Sequence, residues 1–361
     1  MLTIQSHSHP YTVTEAASLR AALEPHLASL GKTFFLVDQK VAELHGLKEL
    51  LPADRTHLVE ASEQAKSYEQ LTPIFCWLLD AKCQRSSHLV VIGGGVLQDI
   101  GCFIASVLMR GIRWTLVPTT LLAQCDSCIG SKSSLNINRF KNQLGTFYPP
   151  HEVVLVFDVL ETLTRDEILS GLGEAIKLHL IDGPESYDTI KQQLATARFE
   201  QIPLSEIVWS SLRIKQRYIE QDEFDRGVRN LLNYGHTFAH AFESATRYGI
   251  PHGIAVTMGV ACATCFSGEL GMAERGECEA LIEWLEPYFG GYLETLVRVD
   301  RAAVLSGMKQ DKKNVGNQIT FILTRGPGKM EKTPLEAARA AQLLNDCLDH
   351  LCVLKAKGLA A

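Results

Sequence analysis

The sequence predicts an α/β protein of two domains, with a parallel sheet flanked by helices over residues 1–160 and a mostly helical domain over residues 161–361. Three observations predict it. A chain of 361 residues is long for one core and suits two domains of ordinary size. Strand-like and helix-like segments alternate through the first part, as they do where helices cover both faces of a parallel sheet. Beyond about Leu163 the strand signal fades and helical periods follow one another.

The first strand-like run is Thr33-Phe34-Phe35-Leu36-Val37, ending at Asp38, and the second is His88-Leu89-Val90-Val91-Ile92, running into Gly93-Gly94-Gly95. Trp114-Thr115-Leu116-Val117, closed by Pro118-Thr119-Thr120, is the third, and Val153-Val154-Leu155-Val156 the fourth. Helical patterns at residues 68–83 and 100–109 lie among them. The second domain reads as helices over residues 165–181, 186–197, 204–221, 227–248, 252–270, 275–285 and 334–357, interrupted by one strand, Gln318-Ile319-Thr320-Phe321-Ile322-Leu323.

Composition excludes several classes of function. A net charge of −6 argues against general binding to nucleic acid or to an anionic membrane, both of which favour excess Lys and Arg. No apolar run approaches the ~20 residues of a membrane span, and the N-terminal residues lack a basic stretch followed by an apolar core. A cytoplasmic protein is the expectation. Ten cysteines are scattered through apolar segments, so buried, reduced thiols are expected, including the pairs Cys125/Cys128 and Cys262/Cys265.

Chemistry concentrates between Asn233 and His252. His236 and His240 are four apart and share one face of a helix. His252 follows Tyr248-Gly249-Ile250-Pro251, a break that can turn it back toward them. Upstream, Glu174 and Lys177 share a helix face at the i, i+3 spacing. Two imidazoles and a carboxylate make a divalent-metal ligand set with room for substrate oxygens, so Glu174, His236 and His252 are expected to hold one metal, zinc first. A histidine pair one turn apart is equally the mark of a structural or exposed helix face. The rest of the chain therefore carries the reading.

Val91-Ile92-Gly93-Gly94-Gly95-Val96 reads as a strand, a glycine turn and a helix start, where backbone N–H groups can approach a pyrophosphate. It is not the spaced Gly-x-Gly-x-x-Gly pattern, and a tight structural turn would have the same letters. Polar residues then interleave with glycine in a loop-rich stretch, with Asp126, Ser131-Lys132 and Lys141-Asn142, which suits a ligand carrying phosphate.

Taken together these motifs resemble the 3-dehydroquinate synthase group of sugar-phosphate cyclases. The motifs are Gly-Gly-Gly-Val, Met-Arg-Gly, Val-Pro-Thr-Thr-Leu-Leu, Asp126 with Lys132 six later, Gly-x-x-Glu-x-x-Lys, Leu-Asn-x-Gly-His-Thr-Phe-x-His and His-Gly. The resemblance implies a Rossmann-like nucleotide-binding domain followed by a helical metal-binding domain. It implies metal ligation by Glu174, His236 and His252, with zinc or cobalt. It implies NAD contacts at Gly94, Gly95, Asp99, Thr119 and Thr120, with Asp38, Glu63, Lys66 and Lys141 added. Substrate phosphate falls to Lys132, Asn142, His240 and Lys312 or its neighbour Lys313, and Arg110 matches an arginine that reaches across a homodimer. Asp126, Lys177, Lys215, Arg229 and Asn233 match the polar groups around the sugar.

The reaction so implied converts 3-deoxy-D-arabino-heptulosonate 7-phosphate to 3-dehydroquinate and phosphate, by transient oxidation with NAD, elimination, reduction and an intramolecular aldol. Arg229 suits the substrate's carboxylate. Two departures, Gln98 for glycine and Ser131-Lys132-Ser133-Ser134 for Gly-Lys-Thr-Gly, leave open a related cyclase of a specialised pathway acting on another heptulose phosphate. A metal-dependent polyol dehydrogenase of the same fold is the other alternative, though it has no need of the phosphate residues.

Overall fold

A computed structural model describes residues 1–361 except 30–31, 139, 196–197, 310–313, 315 and 359–361, together with the side chains at 140–141 and 353–358. Two compact units emerge. Unit 1 comprises Met1–Thr164 and Leu204–Arg226, and unit 2 comprises Arg165–Pro203 and Gly227–Ala361. The expected boundary near residue 160 lies beside the Thr164 break, but the helix Leu204–Gln221 belongs with unit 1.

Among the described residues unit 1 has nine strands: β1 (Leu2–Ile4), β2 (Tyr11–Glu15), β3 (Thr33–Asp38), β4 (Thr56–Val59), β5 (His88–Gly93), β6 (Arg113–Pro118), β7 (Leu135–Ile137), β8 (Phe140–Leu144) and β9 (Glu152–Leu155). Seven form one sheet in the order β1-β2-β9-β6-β5-β3-β4, and β7 with β8 forms a separate hairpin. Every pairing in the large sheet is parallel except that of β1 with β2. The parallel sheet expected is extended at one edge by the short antiparallel strand β1. Leu89, Val90, Val91 and Ile92 are fully buried, as the unbroken apolar run in β5 requires of a strand covered on both faces.

From β3 the chain goes to β4 on one side, and β5, β6 and β9 then extend the sheet on the other. The carboxyl ends of β3 and β5, at Asp38 and Gly93, therefore flank a topological switch point, where open α/β sheets take their ligands. The helix Gly95–Val107 leaves from this point. It packs close to the sheet because Gly101 lacks a side chain; a Cβ there would stand 2.4 Å from Val91 Cγ2.

Unit 2 is chiefly helical and is centred on His252–Glu269, whose residues from Gly253 to Thr264 are all buried. Around it lie Arg165–Asp182, His236–Ala245, Arg275–Leu285 and Ala337–Gly358, together with a hairpin of β10 (Gln318–Thr324) and β11 (Met330–Glu336). Two expectations are corrected here. The stretch 227–248 is not one helix but a 3-10 turn, Val228–Asn233, and a helix, His236–Ala245, parted by Gly235 at φ +80°. Residue Pro334 lies in β11 opposite Thr320, and the last helix begins only at Ala337.

Candidate metal centre and nucleotide crevice

Three helices of unit 2 each bring one ligand, and each ligand stands next to a glycine. Gly173 precedes Glu174, Gly235 precedes His236 and Gly253 follows His252. The glycines let the backbones touch. A Cβ on Gly253 would be 1.7 Å from Ser170 O, one on Gly173 2.1 Å from Gly253 O, and one on Gly235 2.7 Å from Val260 N. Only at that separation do short side chains from three helices meet.

Glu174 Oε1 lies 3.2 Å from His252 Nε2 and 3.7 Å from His236 Nε2. Ligands about 2.1 Å from a tetrahedral ion stand about 3.4 Å apart, so one divalent ion fits these donors. The remaining atoms of the ligands are held from behind. Lys177 Nζ meets Glu174 Oε2 at 2.5 Å, leaving Oε1 toward the rings. His252 Nδ1 faces Glu243 Oε1 at 3.2 Å, and His236 Nδ1 faces Tyr234 O at 3.4 Å. An acceptor at Nδ1 fixes the proton there and turns Nε2 into the metal-facing lone pair.

The electrostatics agree. Burial opposes the Glu174 charge, but Lys177 and then the two imidazoles hold its carboxyl well below the usual range. Burial and Lys177 push His236 well below its ordinary value, keeping it neutral. For His252 burial is outweighed by hydrogen bonds to Glu174 and Glu243, which raise it to about 10. In the protein alone, a proton on His252 provides positive charge where a cation would.

His240 is exposed on the same helix as His236, their rings 5.5 Å apart. Arg229, 5% exposed, and Asn233 lie in the turn that leads into this helix, where Asn233 Nδ2 donates to Asn230 O at 3.0 Å. Glu243 was missed by sequence reasoning. The available signal was its spacing, three residues after His240 on the same helix.

In unit 1 several of the positions expected to contact NAD lie at the switch point. Gly94 caps the helix Gly95–Val107, and a Cβ on it would stand 2.8 Å from Thr120 Cγ2. Thr119 is 3% exposed, and its hydroxyl is buried with no hydrogen-bond partner among the described residues. Asp38 ends β3 and accepts from Lys40 N at 2.9 Å. A cradle that excludes a methyl group and a buried hydroxyl aimed at no protein atom fit a bound dinucleotide.

Asp99, by contrast, is committed to the protein, with Oδ2 2.9 Å from Lys66 Nζ and Oδ1 accepting from Ser134 N at 2.9 Å. Glu63 Oε1 accepts from Asn136 Nδ2 at 2.8 Å.

The unit 1 lysines expected to meet phosphate and sugar form ion pairs. Lys215 Nζ meets Asp126 Oδ1 at 2.8 Å, and Lys132 Nζ meets Asp225 Oδ2 at 2.5 Å. Asp225 is a second residue that sequence reasoning assigned no place in the site. Asn142, at φ +53°, is exposed in β8, and Arg110, at φ +64°, is exposed after the helix Gly95–Val107. The Lys141 side chain, Lys312 and Lys313 lie outside the described residues.

Among the described residues no helix is long and apolar enough to cross a membrane. The ten cysteines form no disulfide; Cys125, Cys128 and Cys262 are buried and Cys265 is partly so.

An open parallel sheet with a switch point and a helical unit with a two-histidine, one-carboxylate cluster make an architecture found in solved cyclases and dehydrogenases. A crystal structure of 2-deoxy-scyllo-inosose synthase, complexed with carbaglucose-6-phosphate, NAD+ and Co2+, has a TM-score of 0.84 at 20% identity, covering 96% of this chain and 99% of that one. A probable glycerol dehydrogenase from Sinorhizobium meliloti 1021 has a TM-score of 0.58 at 14% identity, covering 94% and 96%.

The sequence narrows this. Residues 56–170 match the model of the 3-dehydroquinate synthase N-terminal domain and residues 171–314 that of the C-terminal domain. The 3-dehydroquinate synthase of Alkaliphilus metalliredigens is 32% identical over 352 residues, 95% of this chain and 98% of that protein. The chain belongs to the 3-dehydroquinate synthase family of sugar-phosphate cyclases.

Proposed function

We propose that the protein uses NAD and one divalent cation, zinc or cobalt, to eliminate inorganic phosphate from a heptulose phosphate and close a carbocycle. The observation that carries the reading is the meeting of Glu174 Oε1 with two imidazoles whose Nδ1 atoms are each held by an acceptor. When bound, NAD supplies reversible hydride chemistry and the metal supplies Lewis-acid polarisation of sugar oxygens.

The chain's own residues do the rest. Glu174, His236 and His252 hold the ion, while Lys177 orients the carboxylate. Gly94, Gly95, Thr119 and Thr120 receive the dinucleotide. Lys132, Asn142, His240 and one of Lys312 and Lys313 take the phosphate, so Lys132 exchanges its Asp225 partner for the substrate. The Asp126–Lys215 pair and Asn233 contact the sugar hydroxyls. The working unit is a cytoplasmic homodimer in which Arg110 reaches the neighbouring subunit's phosphate.

Two substrates divide the class. Arg229, buried in the turn that precedes His236, favours the carboxylate of 3-deoxy-arabino-heptulosonate 7-phosphate and hence a 3-dehydroquinate synthase, the name carried by the relatives. Two family departures, Gln98 and Ser131, leave open a cyclase of a specialised pathway acting on another heptulose phosphate. Gln98 exchanges hydrogen bonds with Ser127 O and, at 2.7 Å, with Ser127 Oγ; Ser131 Oγ donates to Glu223 Oε1 at 2.8 Å.

The test supplies that heptulosonate or sedoheptulose 7-phosphate with catalytic NAD and measures inorganic phosphate and the ring formed. Phosphate release without net NADH is expected from one of them. NADH accumulation without phosphate would overturn the cyclase in favour of a polyol dehydrogenase. Should the heptulosonate be the substrate, Arg229→Ala will raise its KM by roughly 30-fold, the ~2 kcal/mol of a charged pair left unmade.

A further inference from the structure

The imidazole of His252 faces a carboxylate on each side. Its Nε2 points to Glu174 Oε1 at 3.2 Å and its Nδ1 to Glu243 Oε1 at 3.2 Å. Glu243 alone would suffice to orient the ring, yet a third donor stands with these two. Ligand atoms of His240, Glu243 and His252 all lie within 4.8 Å of one another, and the His240 and His252 rings are nearly parallel, 20° apart in plane with centroids 6.0 Å apart. This is a second set of two imidazoles and a carboxylate, of the same chemistry as the inner one.

The two sets differ in access. Glu174 and His236 are 1% and 13% exposed in their side chains, whereas His252 is 36% exposed and His240 lies at the surface.

We propose that His240, Glu243 and the Nδ1 edge of His252 form an outer, solvent-facing site for a second divalent cation of the zinc type. It rests on the reading of Glu174, His236 and His252 as the inner site, with which it shares one imidazole. Filling both sites makes His252 a bridge: the inner ion takes Nε2, and the outer ion takes Nδ1 in place of its proton, which leaves to solvent. Both ions would then be held by the one His252 ring. Their mutual repulsion makes the outer ion the weaker by about tenfold or more.

The test is equilibrium dialysis of the chelator-stripped full chain against rising Zn2+, with bound zinc determined by elemental analysis. The wild type is expected to bind two equivalents in two steps. His240→Ala, at an exposed position, will bind only the tighter equivalent, and Glu174→Gln will keep only the weaker one. One equivalent in the wild type, lost in Glu174→Gln and retained in His240→Ala, would overturn the outer site and leave the inner one standing. Two equivalents persisting in His240→Ala would also overturn it. Zinc binding untouched by Glu174→Gln would instead refute the inner assignment on which it rests.

Discussion

Seven of the twelve histidines gather in two groups, and the groups differ in what faces their rings. In unit 1, His26 and His88 have ring centroids 5.2 Å apart, and His9 stacks on His151 at 4.2 Å. His88 bonds Thr115 Oγ1 at 2.9 Å, and burial, then His26, Arg113 and His151, push it down to about 4. His151 is likewise lowered to about 4, by burial, His9 and Arg113. In unit 2 the rings of His236 and His240 lie 5.5 Å from each other and those of His240 and His252 6.0 Å, but a buried carboxylate meets His236 and His252, and the His252 ring is driven up to about 10. Where burial dominates, as at His88 and His151, a half-buried imidazole stays neutral. The same ring becomes a ligand when a buried carboxylate faces Nε2 and an acceptor holds Nδ1.

The largest effect expected from breaking this contrast is at the helix crossing. Gly253→Ala drives a methyl group into Ser170 O and displaces His252, so bound zinc should fall below a tenth of an equivalent and turnover by roughly 10²–10³-fold, the several kcal/mol a Lewis acid supplies. His252→Ala should do the same with less disturbance of the fold, as circular dichroism would report. Unchanged zinc in His252→Ala would refute its assignment.

Glu243→Ala comes next. With Nδ1 of His252 unheld, zinc affinity at the inner site should drop by roughly 10–100-fold, measured by competition with a chromogenic chelator. An unchanged affinity would mean that the ring is oriented by packing alone.

The smallest effect concerns the unit 1 histidines and has a definite sign. His88 and His151 are depressed in the folded state, so the stability they contribute is present above about pH 6.5 and is lost as pH falls toward 4. The loss should be on the order of 1–3 kcal/mol, discounted for the partial exposure of His151. Urea unfolding at pH 7 and pH 4.5 reads it directly, and His88→Gln should shrink the difference while leaving bound zinc unchanged.

Much of this was legible in the chain. The apolar runs of β3, β5, β6 and β9 announce a sheet covered on both faces, and the i, i+4 histidines announce one face of a helix. The break at Gly235 was not legible, because it depends on where Val260 sits. Pro334 in β11 was equally hidden, since proline opens a helix as readily as it fits a strand edge. The ligand set could be named from its residues, but Glu243 could not be told from any solvent-facing carboxylate on a helix. Its role comes from the turn that brings His252 back beside it. Asp225 and its Lys132 pairing likewise depend on Leu204–Arg226 joining unit 1 rather than unit 2.

The most direct test of the central claim is a cobalt(II) titration of the chelator-stripped protein, followed through visible absorption, for the wild type and Glu174→Gln. A buried carboxylate that organises the two imidazoles predicts a saturating tetrahedral-type band at the first equivalent in the wild type, lost or strongly weakened in the variant. The same band at the same stoichiometry in Glu174→Gln would contradict it.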